Sequence, residues 1–512
     1  MTGGLIQLVA YGVQDIFLTK DPQITYFKTV YRRHTNFSTE IIPQKFSTDP
    51  NFGSKVSATI SRSGDLIRKM HIVFDLPSIP LLKEDGVISE KLRFAWVKRL
   101  GYALVKSVEI EIGGQSIDKQ YGEWLHIWSE LTTAKNKGLN TMLGDIPEIT
   151  SFTDKKSTFR IYVPLQFWFC RKDGLALPIL NLQYNEVKIN MEINEVKKCY
   201  INAPKNYIKI YENIVHYKPF EYIEQNIDGT IASGQFIYFD KIENKLYYNR
   251  ISKDEFQSIP DTIDPGDIKT EIRSSKYAKY NILGIDSKYE SMPIINTKEK
   301  VQLFPRIHNL NIKNCFLLVE YIYLDEVERL KFIQSKHEYL IEQIQYSGEK
   351  LLDSTYMRIK LGFSHPCKEV IWVAQSEYLT TTRNNDHFNF TNSYKYKGNK
   401  YIGNGLILNQ TITLNGHDRV SRRDSRYFSE IQPYQNHNNS LAPGIFVYSF
   451  CLYPEIYQPS GPCNMSKIDN MDIQLKADKS IILNNAAKLR MYAVTYNILR
   501  ISNGLSGIVF TT

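Results

Sequence analysis

The chain has no CxxC pair, no GxxxxGK[ST] loop and no GxGxxG turn among its 512 residues. These absences remove the usual zinc ladders, P-loop nucleotide sites and dinucleotide-binding turns. Ten histidines are present, but no two stand at the i, i+2 or i, i+4 separations that let one strand or helix present two metal ligands. Long apolar runs are also missing. The N-terminal stretch GGLIQLVAYGVQDIFLT is interrupted by Gln7, Gln14 and Asp15 and falls short of the ~20 apolar residues that cross a bilayer. It carries no basic residue before Lys20, as a secretory signal would require, so its apolar side chains are expected to bury against protein.

A strong charge imbalance is lacking too. The formal net charge of +9 is small for 59.5 kDa and is poor evidence for nucleic-acid binding. Six cysteines in a chain of this length read as free thiols in a reducing compartment. With 42% hydrophobic residues the chain has enough apolar material for a large folded core, in about two to four domains.

Most of the sequence has the pattern of strands. Val56 to Ile60 and Lys69 to Leu76 are short and rich in bulky residues. In VKSVEIEIGGQSID, Val108, Ile110 and Ile112 share one face, Glu109 and Glu111 share the solvent face, and Gly113-Gly114 supplies a tight hairpin turn. Helix is expected in two places. YGEWLHIWSELTT carries Trp124, Trp128 and Leu131 at helical spacing, which predicts two indoles capping the end of a sheet core. DEVERLKFIQ opens with Asp325 as N-cap and Glu328 three residues on, with Val327, Leu330 and Ile333 as its apolar stripe.

Two regions echo each other. VPLQFWFC, a Pro/Gly loop and EVKINMEI occupy residues 163 to 193; IFVYSFCLYP, a second Pro/Gly loop and MDIQL occupy 445 to 475. The shared order is that of one β-sandwich plan used twice, or a chance likeness between β-rich segments. Between Cys199 and Phe304 the pattern weakens, which predicts a surface insertion with some strands of its own.

Catalytic candidates are weak. Gly114-Gln115-Ser116-Ile117-Asp118 lacks the second glycine of a nucleophile elbow. Glu109 and Glu111 read as a solvated face, and Asp261, Asp264 and Asp267 lack EF-hand spacing. Sequons begin at Asn36, Asn389, Asn409, Asn438 and Asn464, as expected often in an Asn-rich chain. The best candidate surface is FKTVYRRHTNF. Read as a strand, it puts Lys28, Arg32 and His34 on one face and Arg33 on the other. Such a strip either meets phosphate groups or guards an edge strand against promiscuous pairing.

Five separated stretches carry a resemblance: GGLIQLVAYGVQDIFLT with DPQITYFKTVYRRHTNFS; VPLQFWFCRKDGLALPILNLQYNEVKINMEI; LLVEYIYLDEVERLKFIQSKHEYLIEQIQ; GFSHPCKEVIWVAQ; and YSFCLYPEIYQPSGPCNMSKIDN. In this order they resemble the major capsid protein of nucleocytoplasmic large DNA viruses, in particular its mimivirus-like branch. Cys451, Cys463 and the insertion depart from the family pattern. The resemblance implies an all-β chain of two consecutive eight-stranded jelly-roll β-sandwiches, with few short helices and a long surface insertion. It divides the chain into an arm (1–24), a first jelly roll (25–325, insertion about 200–304), a helical linker (326–336) and a second jelly roll (337–512).

It further implies a structural protein without catalytic, cofactor or metal residues, in a virion capsid assembled in the host cytoplasm. The implied partners are two further copies in a homotrimer, neighbouring capsomers, minor capsid proteins and an internal membrane, with no specific nucleic-acid binding. Lys28, Arg32 and Arg33 become the candidate interior-facing basic strip. The alternatives are a minor capsid paralogue, or a carbohydrate-binding or glycoside-processing pair of sandwiches.

Overall fold

The computed structural model describes the chain except for residues 1–2, 11, 82, 85–86, 89–92, 134–136, 205, 219, 253, 260–276, 296–309, 381–383, 394–395, 398–399, 479–486 and 511–512. Among the described residues, sixteen strands build two sandwiches. The first eight are β1 (Phe37–Lys45), β2 (Lys55–Thr59), β3 (Leu66–Leu76), β4 (Val105–Ile112), β5 (Gln115–Tyr121), β6 (Phe159–Pro164), β7 (Val187–Ile193) and β8 (Asn314–Leu324). They form two antiparallel sheets, β1-β8-β3-β6 and β2-β7-β4-β5.

The next eight are β9 (His337–Leu352), β10 (Tyr356–Leu361), β11 (Pro366–Ser376), β12 (Ile407–Leu414), β13 (His417–Asp424), β14 (Ile445–Ser449), β15 (Met471–Ala477) and β16 (Ala487–Ser502). Their sheets run β9-β16-β11-β14 and β10-β15-β12-β13. Adding eight to each strand of the first sandwich gives the order in the second. Both are jelly rolls, and the whole is an all-β double jelly roll. The echo between 163–193 and 445–475 therefore aligns β6 with β14 and β7 with β15. In detail VPLQFWFC differs from a full strand: only Val163 and Pro164 belong to β6, and Trp168–Arg171 is a helical turn.

Alternation explains each core. Ile72, Phe74, Leu317 and Val319 from one sheet meet Val108, Ile110, Ile189 and Met191 from the other in the first sandwich. Val370, Trp372, Leu489 and Met491 meet Ile359, Ile412, Ile473 and Leu475 in the second. The β4–β5 hairpin turns at Gly113 and Gly114, whose φ values of 58° and 82° favour glycine. The insertion enters between β7 and β8. It carries a seven-stranded sheet whose central hairpin, Thr230–Asp240 with Lys245–Arg250, closes over a core of Phe236, Tyr248 and Phe256.

Three of the helices bear on the site: α1 (Gly3–Val9), α2 (Gly122–Thr132) and α3 (Glu326–Gln334). Asp325 caps α3 by accepting the Glu328 N–H at 2.8 Å. The expected position of the indoles is wrong. Trp124 and Trp128 of α2 pack against Ile371, Val373, Ile445, Val447 and Val494 on the outward face of the second sandwich's β9-β16-β11-β14 sheet, so they lie between the two barrels. A hydrophobic stripe specifies what kind of surface it covers, and here the nearest uncovered apolar face belongs to the other barrel.

Gly122 opens α2 where a Cβ would collide with the carbonyl oxygens of Tyr102 and Val105. Neither backbone group can yield as a side chain would. Gly122→Ala is expected to lower stability by about 1–3 kcal/mol, read as a fall in the urea midpoint; an unchanged midpoint would contradict this packing.

Candidate assembly surfaces

The strand register separates two ends of the molecule. β1 pairs with β8 from Phe37 opposite Leu324 to Lys45 opposite Phe316. The N-terminal arm thus leaves beside the end of β8, whereas the insertion enters β8 at Asn314. An eleven-residue strand sets these points about 33 Å apart. The arm, α3 and the start of β9 share one end, called here the base. The loop from 450 to 462 joins them, because Ser449 lies opposite Glu369 and Cys463 opposite Cys367 at the start of β11.

The base is apolar to an unusual degree. Leu8 is 77% exposed, Leu18 85% and Phe27 97%, and Leu452 and Tyr453 on the base loop are also exposed. Scattered apolar residues are normal on a surface, but a concentration at one end marks a place to be covered. The stripe Val327, Leu330 and Ile333 of α3 also faces outward. That differs from a core-facing stripe, because α3 is held instead by Phe332 packed near Leu66 and Ile322, and by Arg329 3.0 Å from Asp65.

Lys28, Arg32 and Arg33 are all exposed near the base, but they do not lie on a strand. The backbone from 29 to 36 is irregular and β1 starts at Phe37. The reason is the partner: β8 ends at Leu324, opposite Phe37, and the chain then turns into α3 at Asp325, leaving no edge for 28–34 to pair with. The strip is therefore a flank of the arm, and the edge-guard explanation does not apply to it.

Between the barrels runs a seam of buried charge. Arg490 on β16 donates from Nε to Glu123 Oε1 of α2 at 2.9 Å, and the Tyr492 hydroxyl donates to the same oxygen at 2.9 Å. Arg171, over the Trp128 ring at 4.2 Å, pairs with Glu342 of β9 at 2.5 Å, and Lys368 pairs with Glu342 from the other side. Asp118 of β5 accepts the Ile344 N–H at 2.9 Å, and burial pushes its carboxyl up to about 6 against the hydrogen bonds it receives. His437 sits 2.9 Å from Glu369 and 3.0 Å from Glu455 with its side chain fully buried. Burial opposes its charge, but the two carboxylates outweigh burial and raise its pKa to about 9.

None of this resembles a reaction centre. Ser116 donates to Glu109 within the β4–β5 hairpin, and Asp118 points into the seam, so the elbow-like segment is ordinary strand. Glu109 and Glu111 lie on the outward face, Glu111 accepting from Asn190 at 2.9 Å. Asp261, Asp264 and Asp267 lie outside the described residues. Among the described residues no three His, Cys, Asp or Glu side chains converge as a metal site. Also among them, no helix is long and apolar enough to cross a membrane.

Comparison with known proteins places this architecture. A family model described as the major capsid protein N-terminus matches residues 25–242, and one described as the large eukaryotic DNA virus major capsid protein matches 328–507. The chain belongs to the major capsid protein family of large eukaryotic DNA viruses. It is 41% identical over 518 residues to probable capsid protein 4 of Acanthamoeba polyphaga mimivirus, covering all of this chain and 99% of that one. It is 34% identical over 544 residues to the major capsid protein of Pyramimonas orientalis virus, with complete coverage of both. Among solved structures, the Faustovirus major capsid protein shares the fold, with a TM-score of 0.65 at 13% identity over 96% of this chain and 94% of that one. The PBCV-1 virus capsid model gives 0.60 at 25% identity, covering 95% of this chain and all of the other. The role is structural: capsid proteins of this family build the virion shell from capsomers.

For a shell protein the seam is a working part, because it fixes how two barrels face their neighbours. Sequence reasoning missed it, although one signal was available. The runs KEVIWVAQ in β11 and LRMYAVTYNI in β16 do not alternate, and nearly every residue in them is buried. Continuous apolar strands are those covered on both faces. A cluster within the second barrel, His437 with Glu369 and Glu455, has a pH signature as well. A histidine whose folded pKa of about 9 exceeds the usual 6.5 stabilises the fold fully below pH 6.5 and loses that contribution as pH rises through 9. The urea midpoint of the native protein should fall between those limits, and His437→Gln should remove that fall; equal slopes for both would contradict a charged His437.

Proposed function

We propose that three copies of this chain assemble into a capsomer of pseudo-hexagonal outline, with the base toward the virion interior and the insertion forming an outer crown. The observation that carries this is the doubled strand order. Two barrels of equal topology, locked side by side through α2, give three copies six similar corners under simple cyclic symmetry. The exposed apolar arm supports a role in tying copies together at the base, where many weak repeated contacts sum to a strong lattice.

In this reading the chain divides as arm 1–24, first jelly roll 25–325, linker 326–336 and second jelly roll 337–512. Lys28, Arg32 and Arg33 face the anionic surface of an internal membrane and adjoining minor capsid proteins. Assembly takes place in the host cytoplasm, and the protein neither catalyses a reaction nor binds nucleic acid by sequence.

Light scattering coupled to size exclusion should give a mass near 178.5 kDa, three times the 59.5 kDa of one chain. A stable monomer at assembly concentrations would overturn the trimer. Replacing Lys28, Arg32 and Arg33 together by alanine should leave the unfolding midpoint unchanged, since all three are exposed. The same variant should weaken binding to phosphatidylserine vesicles at low salt by about two orders of magnitude, at roughly 1 kcal/mol for each basic side chain. Equal vesicle binding by variant and native protein would contradict a membrane-facing strip.

A further inference from the structure

The base loop of the second barrel returns to β11 through a two-residue ladder, Asn464 opposite Pro366 and Cys463 opposite Cys367. Residues directly opposed in an antiparallel pair have Cα atoms about 4.5–5.5 Å apart and side chains on the same side. A disulfide accepts Cα separations of about 4.4–6.8 Å, so this register meets its main requirement. The side chains also share an environment. Cys367 is a fully buried member of the second barrel's core, and the half-buried Cys463 packs against that core.

A third cysteine, Cys451, opens the same loop. Its N–H reaches the Lys368 carbonyl at 3.3 Å, outside the ladder that aligns the other two. None of the three is bonded to another.

We propose that Cys367 and Cys463 form a disulfide under oxidising conditions, stapling the base loop to the body of the second barrel. With a small-molecule disulfide as oxidant, the Cys463 thiolate attacks one of its sulfurs, forms a mixed disulfide and releases the first small thiol. The Cys367 thiolate then attacks Cys463 Sγ, closes the protein disulfide and releases the second. Two electrons pass to the oxidant, and the two protons end on the released thiols. Cys463 is the entry point because the reagent reaches only the partly exposed sulfur. Burial holds both thiols above their ordinary range, so little thiolate is present and closure is slow at neutral pH.

The consequence falls on the apolar base. Leu452, Tyr453 and Ile456 are exposed on the loop between β14 and Cys463. A link joining distant points of the chain also restricts the unfolded state, so closure stabilises the second barrel.

The test uses the full chain. The protein is incubated with oxidised glutathione near pH 8, about where a free thiol begins to ionise, then alkylated in denaturant and analysed by mass spectrometry. The expected result is four alkylated cysteines where the reduced protein, with its six, gives six. A peptide pair joining Cys367 to Cys463 should appear and be lost on reduction. Cys451→Ser should retain the link and Cys463→Ser should abolish it. Six alkylated cysteines after prolonged oxidation, or a link that contains Cys451, would overturn the proposal.

Discussion

Burial of Trp124 and Trp128 against the second barrel is the contact on which the rest of this molecule depends. Each jelly roll has a core of its own, and Ile341, Leu499 and Ile501 of the second barrel also join the core of the first, so the two are already in apolar contact. The α2 helix extends that contact and fixes its direction. It grows out of β5 of the first barrel and covers the outward face of the β9-β16-β11-β14 sheet of the second. Two indoles removed from water contribute several kcal/mol together, by about 25 cal/mol for each Å² of apolar surface. The ion pairs beside them, Arg490 with Glu123 and Arg171 with Glu342, are half-dry or drier, so their desolvation offsets much of their attraction. Their larger effect is on orientation: a guanidinium fork between fixed carboxylates penalises any rotation of one barrel against the other.

From that rigid pair the polarity of the subunit follows. Antiparallel pairing of β1 with β8 sends the arm out at one end and admits the insertion at the other. The same shift of strand order puts the second barrel's base loop at the end where the arm leaves. One end is therefore apolar and basic, made of arm, linker helix and loop, while the other carries a separate folded sheet. In the orientation proposed above, this division gives a lateral body of constant shape, an inner surface that adheres and an outer surface free to vary.

The sequence revealed those elements whose chemistry is local. The Gly113-Gly114 turn, the Asp325 cap and the alternation of β4 each depend on neighbours along the chain, and each is found where the pattern puts it. The doubling of the fold was readable in the paired segments near 163–193 and 445–475, whose strand-loop-strand order persisted after the letters had diverged. Features set by distant partners were not readable in the same way. A basic segment with strand-like residues stays irregular at 28–34 because β8 has already ended. The apolar stripe of α3 faces solvent because Phe332 anchors the helix by another face. The five quoted stretches led to the correct family, whereas the seam that orders its two barrels appeared only in three dimensions.

Hydrogen exchange followed by mass spectrometry on the native protein tests the central claim most directly. If α2 locks the barrels, amides from Leu125 to Leu131 should exchange as slowly as those of the buried strand β16, since both open only with the barrel pair. Exchange in α2 as fast as in the exposed arm would contradict the account, because the barrels would then part without unfolding.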